Sequence, residues 1–316
     1  MILKGRKMII KNLKIPDFEE VFGEKLTSLV KKKIDSCNLA YIEPTTKERD
    51  NLIMMVMQTL NSENVQKSGP NRAGDWVKGW AQNAKELKIT KNFDALIPKY
   101  FGKLSHVRWK QQFIKPINRD FEYDMAKILQ YWVFEKHLSE VDAIYEFGCG
   151  TGHNLFRAEE INKRANIYGL DWAESSQDNI KNLNQIFGKD YGSHRFDFFN
   201  VDKDYKLEKN SGIYTFAALE QVGSSHVEFI NYLIEQDPAI CVHIEPIGEM
   251  LNPAGDFVDY LSVAYFRKRG YLSGFTNTLT NLAAAGKIEI VQKQRSFIGS
   301  LYVDGYSIVA WRPLSA

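Results

Sequence analysis

The second half of this sequence predicts a doubly wound α/β fold, on three observations. Five short β-rich runs recur from residue 143 with helical stretches between them: "AIYEFG" (143–148), "NIYGLDW" (166–172), "HRFDFF" (194–199), "GIYTFAAL" (212–219) and "AICVHIEP" (239–246). A glycine-rich turn, "GCGTG", overlaps the end of the first run. Two further runs, "IEIVQKQRS" (288–296) and "YSIVAWRP" (306–313), are joined by a short Gly-containing turn without a helix. Strands that alternate with helices pair in parallel through right-handed crossovers. The last pair reads instead as an antiparallel hairpin closing one edge of the sheet.

The elements ahead of the sheet are helical in pattern. Thr45 and Glu48 form a capping box before Leu52, Ile53, Met55, Val56 and Leu60. "KSGPNRAGD" (67–75) is a loop by composition, and Asp75 is placed to cap a helix bearing Trp76, Trp80, Ala84 and Leu87. "IPKYFGKLSHVRWKQQFIKP" (97–116) mixes aromatic residues with Lys99, Lys103, Arg108, Lys110 and Lys115. It reads either as a substrate-facing lid or as a packed connector with solvated charges. A helix is expected over 121–138. The resulting division is an N-terminal helical region at 1–115, covering the substrate side, and an α/β domain at 116–316.

Composition narrows the function. With 44% apolar and 25% charged residues in 316, the chain can bury a large core. A net charge of +2 makes no general case for nucleic-acid binding, and none is expected. The basic residues are concentrated at the start, in Lys4, Arg6, Lys7, Lys11, Lys14, Lys25 and Lys31 to Lys33. That start reads as a solvated helix face or, alternatively, as a peripheral contact with an anionic membrane surface. Cys37, Cys149 and Cys241 are too scattered for a disulfide framework or a metal site. With no apolar stretch of spanning or secretory length, a cytoplasmic location is expected. Nothing in the sequence specifies an oligomeric state.

The glycine turn carries the first chemical signal. Gly148, Gly150 and Gly152 are spaced G-x-G-x-G between a strand and a helix, where bare backbone permits a tight turn and close approach to a ligand. Cys149 between them is a small residue at a crowded bend. Asp171 ends the next strand, where an acidic side chain can accept hydrogen bonds from both hydroxyls of a ribose. The dinucleotide pattern G-x-G-x-x-G fails, because residue 153 is His. Glu146 ahead of the glycines would oppose a phosphate and suits a cationic ligand, such as one carrying an ammonium and a sulfonium.

In these residues the segment resembles the first motif of class I S-adenosylmethionine-dependent methyltransferases, an acidic residue followed by G-x-G-x-G. The resemblance covers about residues 120 to 316. It implies a Rossmann-like sheet of seven strands with the last strand antiparallel, and S-adenosyl-L-methionine as cofactor. It also implies cofactor contacts from Glu146, Gly148, Cys149, Gly150, Gly152 and Asp171, with Trp172 beside the adenine. Asp197 and Phe198 match the adenine-binding position after the third strand, with Asn200 as a competitor, and "ALEQVG" (218–223), including Leu219, borders cofactor and substrate. "ALEQVG", "VHIEPI" and "YFRKRGYL" together are similar to methyltransferases related to lipopolysaccharide biosynthesis.

Methyl transfer to an alcohol calls for alignment, exclusion of water and a base. The carboxyl ends of the strands, where ligands sit in such sheets, offer three: Glu220, His226 in the loop "GSSH", and Glu245. A loop histidine is commonly just exposed, whereas a carboxylate ending an apolar strand is costly to bury unpartnered. Glu220 reads as a base or as a structural or cofactor contact. No H-x-E or D-x-D spacing links the three, so no metal is expected. Arg267 and Arg269 would hold an anion, and Tyr265 or Tyr271 would pack on a sugar ring; a solvated helix face is the competing reading. The expected activity is O-methylation of a small molecule or glycan, including an anionic sugar of a surface polysaccharide. The alternatives are N-methylation of a protein or amine, and a non-catalytic cofactor-binding scaffold.

Overall fold

A computed structural model describes residues 9–314 of the chain. In the first third, strands β1 (Ile10–Asn12), β2 (Ala40–Ile42), β3 (Val107–Trp109) and β4 (Gln112–Pro116) accompany helices α1 (Ile15–Phe22), α2 (Ser28–Asp35), α3 (Thr46–Asn61) and α4 (Ala73–Thr90). Thr45 and Glu48 make the expected capping box of α3. Asp75 does not cap α4: the helix already begins at Ala73, and Asp75 lies in its first turn, paired with Arg72 at 3.3 Å. The first 116 residues therefore contribute strands as well as helices. Helix α5 (Phe121–Leu138) follows over the expected span and is buried along most of its length.

The runs from residue 143 onward alternate as predicted: β5 (Ala143–Phe147), α6 (Leu155–Ile161), β6 (Asn166–Asp171), α7 (Glu174–Phe187), β7 (Gly192–Arg195), β8 (Ser211–Phe216), α8 (Val227–Gln236) and β9 (Ile240–Glu245). Then come α9 (Phe257–Arg269), α10 (Phe275–Ala284), β10 (Ile288–Arg295), β11 (Ile298–Ser300) and β12 (Ser307–Pro313). The large sheet has seven strands in the order β10-β12-β9-β8-β5-β6-β7, with β12 antiparallel to both neighbours. β5, β8 and β9 are buried at every position, which is why they read as continuous apolar runs. The edge strands β7 and β10 alternate instead. The third strand is shorter than expected: it ends at Arg195, and Phe196 to Asn200 form a turn at the mouth of the sheet.

The closing hairpin is not a simple turn. β12 inserts between β9 and β10, and the connection carries β11 into a second, five-stranded sheet, β1-β2-β4-β3-β11. Buried charges hold that connection. Arg295 donates to both oxygens of Asp259 on α9 at 2.8 Å and to Asp304 at 3.1 Å. Arg108, read as either substrate-facing or solvated, is neither: it is 1% exposed and donates to the Val258 carbonyl and Ser262 hydroxyl of α9. Residues 301–306 are thereby fixed beside the carboxyl ends of the strands.

One apolar core runs through both parts of the chain, joining Phe18, Phe22 and Trp109 to Trp132, Ile144 and Val242. Phe22 lies flat on Trp132 with ring centroids 4.1 Å apart. Phe22→Ala is expected to lower stability by about 3–5 kcal/mol in a single unfolding transition, measured by chemical denaturation. A separate early transition would show that the N-terminal elements fold apart from the sheet.

Candidate functional site

Strand order reverses between β5 and β8: from β5 the chain steps outward to β6 and β7, then crosses back to β8 on the other side. The two connections leave in opposite directions and open a crevice at the carboxyl ends of the strands. A cavity of ≈ 390 Å³ lies there, within the size range of small-molecule sites.

The glycine turn forms its floor. Gly148, Gly150 and Gly152 have φ of +80°, +56° and +77°, a region side chains disfavour. A Cβ on Gly148 would stand 2.3 Å from the Ala218 Cβ, and one on Gly150 would meet the Trp80 ring at 3.0 Å. Asp171 is 5% exposed. Its oxygens accept hydrogen bonds from the Gly150 N–H (2.9 Å) and the Ala173 N–H (2.8 Å), and each keeps lone-pair capacity toward the cavity. Burial pushes its carboxyl up to about 6. Trp172, Asp197, Phe198 and Phe199 continue the wall, whereas Asn200 is exposed and outside it. Helix α4 closes this half, tied to α7 by hydrogen bonds from Ser175 to the Val77 carbonyl and from Asn179 to the Trp80 carbonyl.

Of the expected cofactor residues, Gly148, Cys149, Gly150, Asp171, Trp172, Asp197 and Phe198 line the cavity. Glu146, Gly152 and Leu219 do not. Glu146 lies beneath the turn, accepting from Asn154 (2.6 Å) and the Tyr214 hydroxyl (3.0 Å), and burial pushes it up to about 8. It braces the turn through Asn154, which also bonds Gln130 and Arg157. Gly152 packs against α7, where its Cβ would meet Ile180 at 3.3 Å. Leu219 points into the core beneath the sheet end.

The three expected bases separate. Glu245 is fully buried, and its oxygens accept the N–H groups of Ala218 (3.1 Å), Leu219 (3.0 Å) and Glu220 (3.0 Å). It holds the loop after β8, not a ligand, with burial pushing its carboxyl up to about 7. His226 lies outside the cavity, bonded to Thr278 (3.0 Å) against Phe275. Glu220 alone lines the cavity. Burial, then the neighbouring Glu245 charge, pushes it up to about 8, and it accepts a hydrogen bond from Gln221 (2.6 Å).

The expected substrate residues separate likewise. Arg267 is exposed on the outer face of α9, and Tyr265 stacks on Tyr302 at 5.2 Å, away from the cavity. Arg269 and Tyr271 line it, with the guanidinium 5.3 Å from the Tyr271 ring and bonded to the Gln66 carbonyl. Sequence reasoning passed over Tyr100, Glu122, His153 and Tyr306, which complete the walls. Tyr100 sits in the "IPKYFGK" stretch; its ring projects into the cavity and stays 43% exposed there, while burial of the hydroxyl pushes it up. Burial also pushes Glu122 up to about 7, against a hydrogen bond from the Gly102 N–H. His153 is defined by its partner. Thr151 gives its single hydroxyl proton to the Leu96 carbonyl (2.6 Å), so it can only accept from His153 Nδ1 (3.1 Å). The imidazole is held neutral by burial, with its lone pair on Nε2.

Among the described residues there is no group of three or more His, Cys, Asp and Glu able to hold a metal, and no helix long and apolar enough to cross a membrane. Lys4, Arg6 and Lys7 of the basic start lie outside the described residues. Lys11, Lys25, Lys31 and Lys33 are engaged in ion pairs.

No protein-family model and no curated protein matches the chain. Among solved structures it is similar to the O-methyltransferase NcsB1 from neocarzinostatin biosynthesis in complex with S-adenosylmethionine (15% identity, 61% of this chain and 58% of that one, TM-score 0.39). Human N-acetylserotonin methyltransferase with S-adenosylmethionine aligns at 12% identity over 85% of this chain and 68% of that one, TM-score 0.45. The plantazolicin methyltransferase BpumL with S-adenosylhomocysteine aligns at 12% over 83% and 100%, TM-score 0.41. The chain spans under two thirds of the length of NcsB1, and likeness at this level says nothing of substrate.

The buried carboxyls predict a pH effect. Glu122, Glu146, Glu220 and Glu245 hold protons to about 7 or 8 in the fold, against 4.5 when unfolded, so stability falls as pH rises across that interval. The buried histidines, shifted down, act oppositely, but only below their unfolded value of 6.5. Thermal scans between pH 6.5 and 8 should therefore show a falling Tm, and Glu220→Gln should lessen the fall.

Proposed function

We propose that the chain is an S-adenosylmethionine-dependent methyltransferase acting on a small molecule. The observation that carries this reading is the convergence, at one switch-point crevice, of a Cβ-free glycine floor with Asp171 on one side and Glu220 on the other. The residues present fit the cofactor. Gly148 and Gly150 line the cavity with bare backbone, their Cβ positions being taken by Ala218 and Trp80; Asp171 would accept from a pair of ribose hydroxyls, Asp197 would meet the base edge, and Trp172, Phe198 and Phe199 would bound its faces.

S-adenosylmethionine, when bound, supplies a methyl group activated by the sulfonium charge. The chain's own work is alignment, exclusion of water and proton removal. Trp76 and Trp80, stacked at 5.3 Å on α4, line the cavity, Trp80 against Gly150 of the glycine turn. Glu245 fixes the backbone at 218–220 and so aims Glu220 into the cavity. Glu220, pushed up to about 8, has the proton affinity of a base working near neutrality, able to take the proton of an attacking hydroxyl or amine. An anionic sugar, and a role in polysaccharide biosynthesis with it, draws little support from this arrangement. Arg267 is outside the cavity, and Arg269 is already engaged with Gln66 and Tyr271.

Calorimetry with S-adenosylmethionine tests the cofactor: binding is expected, and its absence would overturn the reading. Asp171→Ala should weaken that binding about 10²–10⁴-fold, the worth of two hydrogen bonds to a charged group. Glu220→Gln should cut kcat by about 10²–10⁴-fold with cofactor affinity kept, and should remove the rise of rate toward pH 8.

A further inference from the structure

The half of the cavity beyond the glycine turn sets two carboxyl groups among phenol rings, and Glu220 has one protein cation, Arg269, in electrostatic reach, with which it forms no ion pair. Glu122 takes one hydrogen bond, from the Gly102 N–H at 3.2 Å, and Glu220 is bonded by the Gln221 amide and the Tyr271 hydroxyl. Among the described residues neither is in an ion pair. Of the cavity's two arginines, Arg72 is engaged with Asp75 and over the Trp76 ring, and Arg269 is bonded to the Gln66 carbonyl beside Tyr271, within electrostatic reach of Glu220 but not paired with it. Tyr100 and Tyr306 each lie in electrostatic reach of both Glu122 and Glu220, so the four groups surround one space. Tyr306 is braced there by stacking on Phe216 at 4.8 Å.

We infer that this space takes a small organic cation, an amine protonated in water, whose ammonium sits between Glu122 and Glu220 with the rings of Tyr100 and Tyr306 around it. A carboxylate withdrawn from water without a counter-charge is costly, and an ammonium supplies that charge. The negative faces of the phenol rings favour the same cation. An ammonium would draw both glutamates into the ionised form, whereas a carboxylate or phosphate ligand would oppose their ionisation and a neutral alcohol would leave them protonated near neutrality. Taking this cation as the methyl acceptor rests on the methyltransferase reading above; the charge of the space does not. The rival occupant is the amino group of the cofactor itself.

The test uses the full chain and three probes of one shape: phenethylamine, 2-phenylethanol and phenylacetate. Each is titrated calorimetrically with and without saturating S-adenosylhomocysteine, which carries the cofactor's amine but no sulfonium. Phenethylamine should bind at least about tenfold tighter than the alcohol, and phenylacetate should give no heat. Glu122→Gln should erase the preference for the amine while S-adenosylhomocysteine affinity is unchanged, and Glu220→Gln should reduce it. Equal binding of the three probes, preference for phenylacetate, or no binding of phenethylamine overturns the inference. So does a Glu122→Gln variant that loses S-adenosylhomocysteine affinity but keeps its amine preference, which would assign Glu122 to the cofactor's amine. Failure of S-adenosylhomocysteine to bind at all would sink the methyltransferase reading, while the amine series on the unliganded protein would still decide the cation.

Discussion

One buried carboxylate organises the site: Glu245, at the end of β9, receives three consecutive backbone N–H groups from the loop after β8. Three donors offset part of the cost of withdrawing that carboxylate from water, the remainder showing in a carboxyl pushed up to about 7. In return the loop is held in a shape it would otherwise resist, since Ala217, which leads into it, has a φ of +48°. The position of Ala218 then requires glycine at 148, and the position of Glu220 puts a carboxyl into the cavity. The glycine floor and Glu220 are thus coupled through a residue that does not itself line the cavity.

The walls follow the same economy. α4 covers the glycine turn because α7 supplies side-chain donors to its carbonyls, and the β11 connection is held to α9 by the Arg295, Asp259 and Asp304 cluster. Elements far apart in the chain, at 72–80, 98–101 and 300–306, converge on one crevice because the sheet reverses there. That topology makes α4 and the β11–β12 connection part of the site, not appendages to a sheet.

Much of the fold was legible in the sequence. Fully buried parallel strands leave continuous apolar runs, and the glycine spacing announced a turn that only glycines adopt easily. The length of β7 was not, because Phe196, Phe198 and Phe199 continue an apolar run that in fact turns over the cavity mouth. Nor was the path of β11, whose pairing with β3 spans most of the chain and leaves no local signal.

Residues that line the cavity were legible where backbone geometry dictates them, as at Gly148, Gly150 and Asp171, and illegible where orientation decides. Arg267 and Arg269 lie two positions apart on one helix, about 200° around its axis, so they could not both face the cavity. Glu245 was correctly singled out as a buried carboxylate in need of partners, but the partners proved to be backbone. Glu122, Tyr100 and Tyr306 belong to segments distant from the glycine turn, and only the tertiary fold brings them to it.

The central claim is that the glycine turn and Asp171 hold an adenosyl ligand whose sulfur faces Glu220. A crystal structure of the chain grown with S-adenosylhomocysteine addresses it most directly. The account predicts the ribose hydroxyls within hydrogen-bond distance of Asp171 and the sulfur on the Glu220 side of the turn. A ligand bound elsewhere, or one that leaves Asp171 without contact, would contradict it.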